Sequence, residues 1–290
     1  MVDDVLHIRR AGPSRRVRVH EFDGDHVRHH EDRVTTEEPL EIRVGWPGHP
    51  AERVSVTMRT PGHDFELSTG WLRGEGMLRS YDDLHTVAYC TDHTLTPDEK
   101  LNVVTVTLAR PPWRPPSPRY DGPGAGSSAC GVCGTRSIDD VLSVTAGADA
   151  TSWTGLTVAP SVVRGLPDAL RAAQRVFERT GGLHAAGLFT DRGETLVVRE
   201  DVGRHNAVDK VFGARILAQE TTAVPLLCVS GRIGFELVQK AIVGGVALIA
   251  AVGAPTSLAV DLAARTGLCV VGFVRGDRFV TYTAPERIGV

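Results

Sequence analysis

Short apolar runs alternate with helical patterns from residue 151 to the C-terminus, and this alternation constrains the fold more than any other feature. The runs at 224–230, 247–252 and 268–274 are almost wholly apolar, and segments of helical length lie between them. Such runs are typical of strands buried on both faces and connected in parallel by helices. We therefore predict an α/β three-layer domain over residues 151–290, with a partly parallel sheet.

Three further elements precede the first of these apolar runs. The sequence predicts one helix over residues 166–182, because Leu166, Leu170 and Phe177 share a face and two glycines end the pattern. A hairpin is predicted over residues 183–200, and a second helix from about Arg204.

Residues 1–109 have a different pattern, in which apolar and polar residues alternate along several short segments. Alternation with a period of two is typical of strands with one buried face. A short helix is predicted within residues 61–76, with Asp64 as its cap and Gly74 at its end. We therefore predict a strand-rich α+β domain built on a mostly antiparallel sheet.

Proline, glycine and serine crowd residues 110–150, the segment between the two predicted domains. These residues interrupt helices and strands and do not form a packed element. The stretch "GSSACGVCGTRS" places Cys130 and Cys133 two residues apart within this segment. We predict a mobile or semi-extended arm that carries a CxxC pair.

Composition excludes several classes of protein. The chain has 290 residues, 42% of them hydrophobic, and a net charge of −3, which gives no reason to expect nucleic acid or a membrane surface as a partner. No apolar run reaches the roughly 18 residues of a spanning helix. The N-terminal segment lacks the apolar core of a signal peptide, so we expect a cytoplasmic protein. Five cysteines are too few for a disulfide framework, and Cys228 and Cys269 are predicted to be core residues.

Peptides rich in glycine and arginine follow the predicted strands of the second domain. "SGRIG", "GAPTS" and "RGDR" come after the three apolar runs, and "EDVGRHN" precedes a helix. Ligands of open α/β sheets bind outside the carboxyl ends of parallel strands, where free N–H groups favour anions. Each peptide alone is as typical of a helix cap. Together they predict a site for a phosphorylated ligand, with guanidinium groups from Arg204, Arg232, Arg275 and Arg278.

The CxxC pair has several chemical uses, and the residues alone leave them open. The pair is half of a zinc site, but no second CxxC is present. A zinc deaminase would place a glutamate two residues after its histidine, whereas Ala186 follows His184 at that spacing. A disulfide exchanger would place the pair at a helix start after a strand. A flexible thiolate that carries sulfur as a persulfide fits the arm best. The absence of GxGxxG and GxxxxGK[ST] leaves NAD-type and P-loop sites unsupported.

Six motifs in a fixed order resemble those of the formate dehydrogenase accessory sulfurtransferase family, FdhD. They are "CGVCG", "TGGLHAAGLF", "REDVGRHNAVDKV", "SGRIGFELVQKA", "GAPTSLAVDLA" and "GFVRGDRFVTYT", and the resemblance extends from about Pro39 to the C-terminus. It implies a cytoplasmic homodimer that takes sulfur from a cysteine desulfurase and delivers it to the molybdenum cofactor of formate dehydrogenase. That cofactor, a bis-molybdopterin guanine dinucleotide, would be bound as a substrate, and GDP-like ligands are expected to mimic it. The second domain would be cytidine-deaminase-like without the deaminase metal.

The resemblance also implies roles for individual residues. Cys130 matches the cysteine that bears the persulfide, and Cys133 matches its partner. The stretch that contacts the guanine-nucleotide end of the cofactor matches Phe273, Val274, Arg275, Gly276, Asp277 and Arg278. Further candidates at the strand ends are His184, Arg204, Ser230, Gly231 and Arg232. No residue is assigned to a metal.

Three interpretations remain at the level of sequence. The first is a sulfurtransferase that carries persulfide on the arm. The second is a non-catalytic chaperone that binds the molybdenum cofactor without carrying sulfur, and the third is a zinc-dependent hydrolase of the deaminase type. His184 is as compatible with a packed strand residue as with proton transfer beside a cofactor.

Overall fold

The computed structural model describes residues 11–91, 95–116 and 153–289. Cys130, Cys133 and most of the predicted arm lie outside the described residues. The domain boundaries predicted at residues 109/110 and 150/151 therefore stay a prediction. The described residues form a mixed α/β structure with three sheets.

A two-stranded ribbon and a four-stranded sheet make up the N-terminal part. Antiparallel strands β1 (Ser14–Asp23) and β2 (His26–Thr35) form the ribbon. The sheet, in the order β4-β3-β6-β5, contains β3 (Glu38–Trp46), β4 (His49–Arg59), β5 (Leu84–Tyr89) and β6 (Val103–Leu108). Its strands pair antiparallel except for β3 with β6. Alternation along β3 and β6 buries one face of the sheet against helix α1 (Asp64–Gly74), and the short α2 (Pro97–Lys100) precedes β6.

Asp64 does not cap α1 as the sequence pattern predicted. His63 occupies the N-cap position, and Asp64 lies in the first turn. Its carboxylate accepts two hydrogen bonds from the buried Arg59 guanidinium, each 3.0 Å long, and a third from the Tyr89 hydroxyl. A buried carboxylate is tolerated when it is paired in this way, so the ion pair takes precedence over the local capping preference.

A six-stranded mixed sheet organises the C-terminal part, in the order β12-β11-β10-β9-β7-β8. Its strands are β7 (His184–Phe189), β8 (Thr195–Asp201), β9 (Leu226–Val229), β10 (Leu248–Ala251), β11 (Cys269–Arg275) and β12 (Arg278–Thr283). The central β9, β10 and β11 run parallel, as the apolar runs predicted. Strands β7 and β12 pair antiparallel with β9 and β11, and β8 pairs antiparallel with β7.

Helices cover both faces of this sheet. They are α3 (Pro160–Ala172), α4 (Arg175–Thr180), α5 (Arg204–Leu217), α6 (Phe235–Val243) and α7 (Ser257–Thr266), with short 3-10 helices at Tyr81–Asp83 and Pro285–Arg287. Leu227 and Ile249 pack with α5, α6 and α7, whereas Leu226 and Leu248, one position earlier, pack with α3 on the other face. This alternation explains why both faces of the central strands had to be apolar.

The single helix predicted over residues 166–182 is wrong, because the chain forms α3 and α4 with a break at Ala173 and Gln174. Helix α3 begins earlier, at Pro160, a residue favoured at the first helical position. At the break, the Glu200 carboxylate accepts hydrogen bonds from the N–H groups of Val176 and Phe177 at 2.9 and 2.7 Å. Those bonds satisfy the first N–H groups of α4 and fix a second helix start.

The two main sheets are joined by a close crossing of α1 and α5. A Cβ on Gly70 would lie 1.8 Å from the Asp209 carbonyl oxygen, and one on Gly213 would lie 1.8 Å from the Glu66 carbonyl oxygen. Only glycine permits backbones to approach so closely. Beside this crossing, the Arg199 guanidinium binds both carboxylate oxygens of Glu66 at 2.6 and 2.8 Å. In the described part of the chain, no helix has the length and apolar character to cross a membrane.

Candidate functional site

A cavity of about 630 Å³ lies outside the carboxyl ends of the parallel strands. Its floor is formed where β9, β10 and β11 end, at Ser230, Val252 and Val274, and α3 and α4 form the opposite wall. This is the position at which open α/β sheets bind ligands, and the volume suits a small molecule. We call it the strand-end cavity.

Five of the eleven residues predicted to bind cofactor line the strand-end cavity. They are His184, Ser230, Val274, Arg275 and Gly276. The other six lie outside its lining. They are Arg204, Gly231, Arg232, Phe273, Asp277 and Arg278.

Gly231 connects the cavity to Arg204. A Cβ on Gly231 would lie 3.4 Å from Nδ1 of His184 and 3.8 Å from Cδ of Arg204, so this glycine separates the two side chains. Arg232 is exposed beside them. The "SGRIG" peptide therefore brings an imidazole and guanidinium groups to one edge of the sheet.

His184 is half-buried at the start of β7. Because β7 runs antiparallel to β9, its first residue lies beside the last residues of β9. Burial lowers the pKa of the His184 imidazole, the nearby Arg204 charge lowers it further, and Asp201 opposes the change. The ring is therefore neutral at pH 7, with one nitrogen able to accept a proton and the other able to donate a hydrogen bond.

Ser230 is held between β9 and β7. Its hydroxyl oxygen accepts a hydrogen bond from the Ala185 N–H at 2.9 Å, and its own N–H donates to the Ala185 carbonyl at 3.0 Å. Because the hydroxyl acts as an acceptor toward the backbone, its proton is available to donate to a ligand in the cavity.

The loops after the three parallel strands pack backbone against backbone. A Cβ on Gly253 would lie 2.8 Å from the Gly231 carbonyl oxygen, and one on Gly272 would lie 3.1 Å from the Gly253 carbonyl oxygen. The Phe273 N–H donates to that same Gly253 carbonyl at 3.1 Å. The "SGRIG", "GAPTS" and "FVRGDR" peptides, far apart in sequence, thus form one continuous surface.

The turn between β11 and β12 projects beside the cavity. Phe273 has a φ of +54°, and the residue is 37% exposed. A phenylalanine in the left-handed region is strained, and such strain is concentrated at functional sites. Arg275 pairs across the turn with Arg278, and Arg164 of α3 lies 3.9 Å from the exposed Asp277 carboxylate. The turn and the start of α3 therefore place several guanidinium groups near the cavity mouth.

Sequence reasoning missed the wall formed by α3 and α4. The cavity is lined there by Arg164, Asp168, Arg171, Gln174 and Phe177. The first three recur at helical spacing next to the buried stripe, a pattern that is usually a solvated face. The one sequence feature that could have indicated this wall is the pair Arg164 and Arg171, seven residues apart on the helix that precedes "TGGLHAAG".

The "EDVGRHN" peptide stabilises the joint between the sheets, although the sequence favoured a ligand cradle. The buried Asp201 carboxylate accepts hydrogen bonds from the N–H of Gly203 at 2.8 Å and the Asn206 amide at 3.0 Å, and pairs with Lys210 at 2.6 Å. The Asn206 amide also donates to the Met58 carbonyl of β4. These groups are occupied within the protein. Of the same peptide, Val202 lines the cavity, and the Arg204 side chain lies beside Gly231 near its edge.

Two of the three described cysteines are poor candidates for sulfur chemistry. Cys228 and Cys269 are buried, and burial raises the pKa of each thiol to about 12. Thiolate is the reactive form, so these side chains act as core residues, as predicted. Within residues 11–91, 95–116 and 153–289, no three histidine, cysteine, aspartate or glutamate side chains are grouped to hold a metal ion.

Comparisons with known proteins relate this site to a family. The model of the FdhD/NarQ family matches residues 35–289. The chain is 47% identical over 263 residues to the "Sulfur carrier protein FdhD" of Streptomyces coelicolor, covering 89% of this chain and 90% of that protein. It is 46% identical over 278 residues to the protein of the same name from Mycobacterium tuberculosis, covering 93% and 97%.

A solved structure has the same fold. The crystal structure of a protein from Desulfotalea psychrophila, described as a formate dehydrogenase accessory protein, superposes with a TM-score of 0.69 at 21% identity. The match covers 95% of this chain and 99% of that one. Taken with the family match over residues 35–289, these relatives show that the chain belongs to the FdhD/NarQ family.

Proposed function

We propose that the protein is a sulfurtransferase that carries sulfur as a persulfide on Cys130 and delivers it to a molybdenum cofactor bound at the strand-end cavity. The observation that carries this proposal is the cationic cavity outside the parallel strand ends. It lies in a chain that also has a separate CxxC pair and relatives named sulfur carrier proteins. The same arrangement supports a formate dehydrogenase accessory role, the description of the structural relative.

The loading step is a transfer of one sulfur atom between thiols. The Cys130 thiolate attacks the outer sulfur of a persulfide on a cysteine desulfurase. A new S–S bond forms at Cys130, and the desulfurase cysteine leaves as a thiolate. No external oxidant or reductant is needed, because one S–S bond replaces another.

The delivery step uses the second cysteine. The Cys133 thiolate attacks Cys130, a Cys130–Cys133 disulfide forms, and the carried sulfur leaves at the oxidation level of sulfide. The cofactor accepts that sulfide, and an external dithiol then reduces the disulfide. A Cys133→Ala variant should therefore load sulfur normally and retain it.

The strand-end cavity is proposed to hold the guanine-nucleotide end of the bis-molybdopterin guanine dinucleotide. Arg275 would bind its phosphates, and the Ser230 hydroxyl would donate a hydrogen bond. Neutral His184 would accept a proton from the substrate or donate a hydrogen bond to it. Gly231, Arg204 and Arg232 would extend the anion-binding surface outward, and the strained turn from Phe273 to Arg278 would close over it. GDP-like ligands would mimic this end of the cofactor.

We further propose a homodimeric, cytoplasmic protein whose C-terminal part is cytidine-deaminase-like and lacks the deaminase metal site. The antiparallel β7 beside parallel β9, β10 and β11, with helices on both faces, supports that fold assignment. The proposed partners are a cysteine desulfurase as donor and formate dehydrogenase as the destination of the cofactor.

The test is the intact mass of the protein after incubation with a cysteine desulfurase and cysteine. Wild type should gain the mass of one sulfur atom, which reductant removes, and Cys130→Ala should gain nothing. Cys228→Ala is the matched control, because it also removes one thiol but from the core. If wild type gains no sulfur yet binds GDP, the protein is a cofactor chaperone and the sulfurtransferase proposal fails. Zinc retained stoichiometrically through dialysis would instead favour the deaminase-type hydrolase.

A further inference from the structure

A glutamine side chain lines the strand-end cavity at the break between α3 and α4. Gln174 is 5% exposed and belongs to the cavity lining. Its side chain does not cap α4, and among the described residues it forms no hydrogen bond. Its amide nitrogen and oxygen are not sealed from solvent, so they are open to the cavity and suited to a ligand that pairs with them.

An aromatic ring and a guanidinium group accompany this amide. Phe177 lines the same part of the cavity, and the central guanidinium carbon of Arg171 lies 4.2 Å from its ring centroid. The Glu200 carboxylate already binds the first N–H groups of α4, so this helix start offers no site for an anion. Amide, aromatic ring and guanidinium are the groups with which proteins pair and stack nucleobases.

Two further guanidinium groups lie at the other end of the cavity. Arg164 is near the β11–β12 turn, which also carries Arg275, whereas Gln174 follows the far end of α3. Arg164 and Ala172 are eight helical steps apart, which corresponds to about 12 Å of helix. Strands β11, β10, β9 and β7, spaced about 4.8 Å apart, cover a similar width beneath it. The cavity therefore has a phosphate-binding end and an end suited to a planar base.

We propose that Gln174 is the specificity-determining residue for the base of the nucleotide, with its amide donating to the guanine carbonyl and accepting from the adjacent ring N–H. Phe177 and Arg171 form the wall against which the base lies, and Arg164 and Arg275 bind the diphosphate. This inference rests on the proposed function, because the cofactor supplies the guanine nucleotide. It adds the direction in which that nucleotide lies along α3.

Binding of GDP and of pyrophosphate by calorimetry tests the inference on the full chain. Wild type should bind GDP more tightly than pyrophosphate. Gln174→Leu should lose about tenfold in GDP affinity, as expected for loss of the hydrogen bonds to the base, and keep its pyrophosphate affinity within about twofold.

Gln239→Leu is the matched control. Gln239 is also a buried glutamine, but its amide donates to the Gly74 carbonyl away from the cavity. This variant should lose thermal stability and keep the wild-type GDP affinity, whereas Gln174→Leu should keep its melting temperature without ligand.

Two outcomes would overturn the inference. One is a Gln174→Leu variant that binds GDP as tightly as wild type, and the other is a wild type that binds GDP no more tightly than pyrophosphate. Either result leaves the sulfurtransferase proposal standing if Cys130 still acquires sulfur. If Cys130 does not acquire sulfur, the sulfurtransferase proposal fails, and the result on nucleotide binding is unaffected.

Discussion

The crossing of α1 and α5 makes Gly213→Ala a severe substitution for its size. The added methyl carbon would lie 1.8 Å from the Glu66 carbonyl oxygen and 2.8 Å from the Gly70 backbone nitrogen. Both neighbours are backbone atoms, so no side-chain rotation relieves the contact. The helices would have to separate by about 1 Å or more to restore ordinary van der Waals distances.

The expected loss in the free energy of unfolding is about 2–4 kcal/mol. Overpacking a close contact costs typically ~1–3 kcal/mol, and more where the backbone must move. Separation also lengthens the Arg199–Glu66 pair, which joins β8 to α1 beside the crossing at 2.6 and 2.8 Å. The better helix propensity of alanine offsets only about 1 kcal/mol of this loss.

Urea denaturation of Gly213→Ala and Gly165→Ala checks this reasoning. Gly165 is an exposed residue within α3, and a Cβ there would meet no atom within 4 Å. Gly165→Ala should therefore raise the free energy of unfolding by about 0.5–1 kcal/mol, through helix propensity alone. A Gly213→Ala protein as stable as wild type would refute the close backbone contact between α1 and α5.

Three further predictions follow from buried groups. Burial would raise the pKa of Glu66, but the hydrogen bonds from Arg199 and other contacts lower it to about 2. The ion pair therefore stabilises the fold at neutral pH, and this stabilisation is lost as pH falls from about 4.5 to 2. After allowance for solvent screening, Glu66→Gln should lose about 1 kcal/mol at pH 7 and flatten the acid limb of a stability–pH curve; an unchanged limb would contradict the assignment. Cys228 and Cys269 should resist iodoacetamide at pH 8 in the native protein and react in urea, as peptide mass mapping would record, and native labelling would contradict their burial. Lys240→Met, which leaves the buried carboxylate of Asp209 without its 2.7 Å partner, should lower the unfolding free energy by about 3–5 kcal/mol in urea titration, and a loss below about 1 kcal/mol would contradict the pairing.

The strands were predictable because their burial follows a local pattern. Every residue of β9 and of β10 is buried, as their unbroken apolar runs indicated. The alternating runs of the N-terminal part likewise became β1 to β6 within a few residues. The side chains of β3, β6, β9 and β10 record how many faces of each strand are covered. The prediction of one buried face is wrong for β1 and β2, which form the separate ribbon and contain no buried residue.

The break between α3 and α4 was not predictable, because the sequence continues the helical pattern from Leu170 to Phe177. The start of α4 is fixed by the Glu200 carboxylate, which accepts hydrogen bonds from the first N–H groups of the helix and lies on a strand further along the chain. Asp64 shows the same limit, since its preference for a cap was overridden by Arg59 from the preceding strand. Local propensity cannot register a partner that only the fold brings close.

The candidate site divides along the same line. The strand-end peptides were predicted, because parallel strands bring their carboxyl ends to one edge. The α3 and α4 wall was not, because Arg171 and Gln174 resemble a solvated helix face until the sheet is placed beneath them. The structural role of Asp201 was also not predictable. A carboxylate just before a helix has the same local sequence whether it binds a ligand or pairs with a lysine.

The central claim is that sulfur passes through Cys130 to the cofactor, and sulfur-35 followed from cysteine to the molybdenum cofactor tests it most directly. With desulfurase, one equivalent of labelled cysteine and fully reduced protein but no added dithiol, a single turnover should place the label on the cofactor with wild-type protein. It should remain on the protein with Cys133→Ala and never leave the desulfurase with Cys130→Ala. Labelling of the cofactor by Cys130→Ala at the wild-type rate would contradict the account.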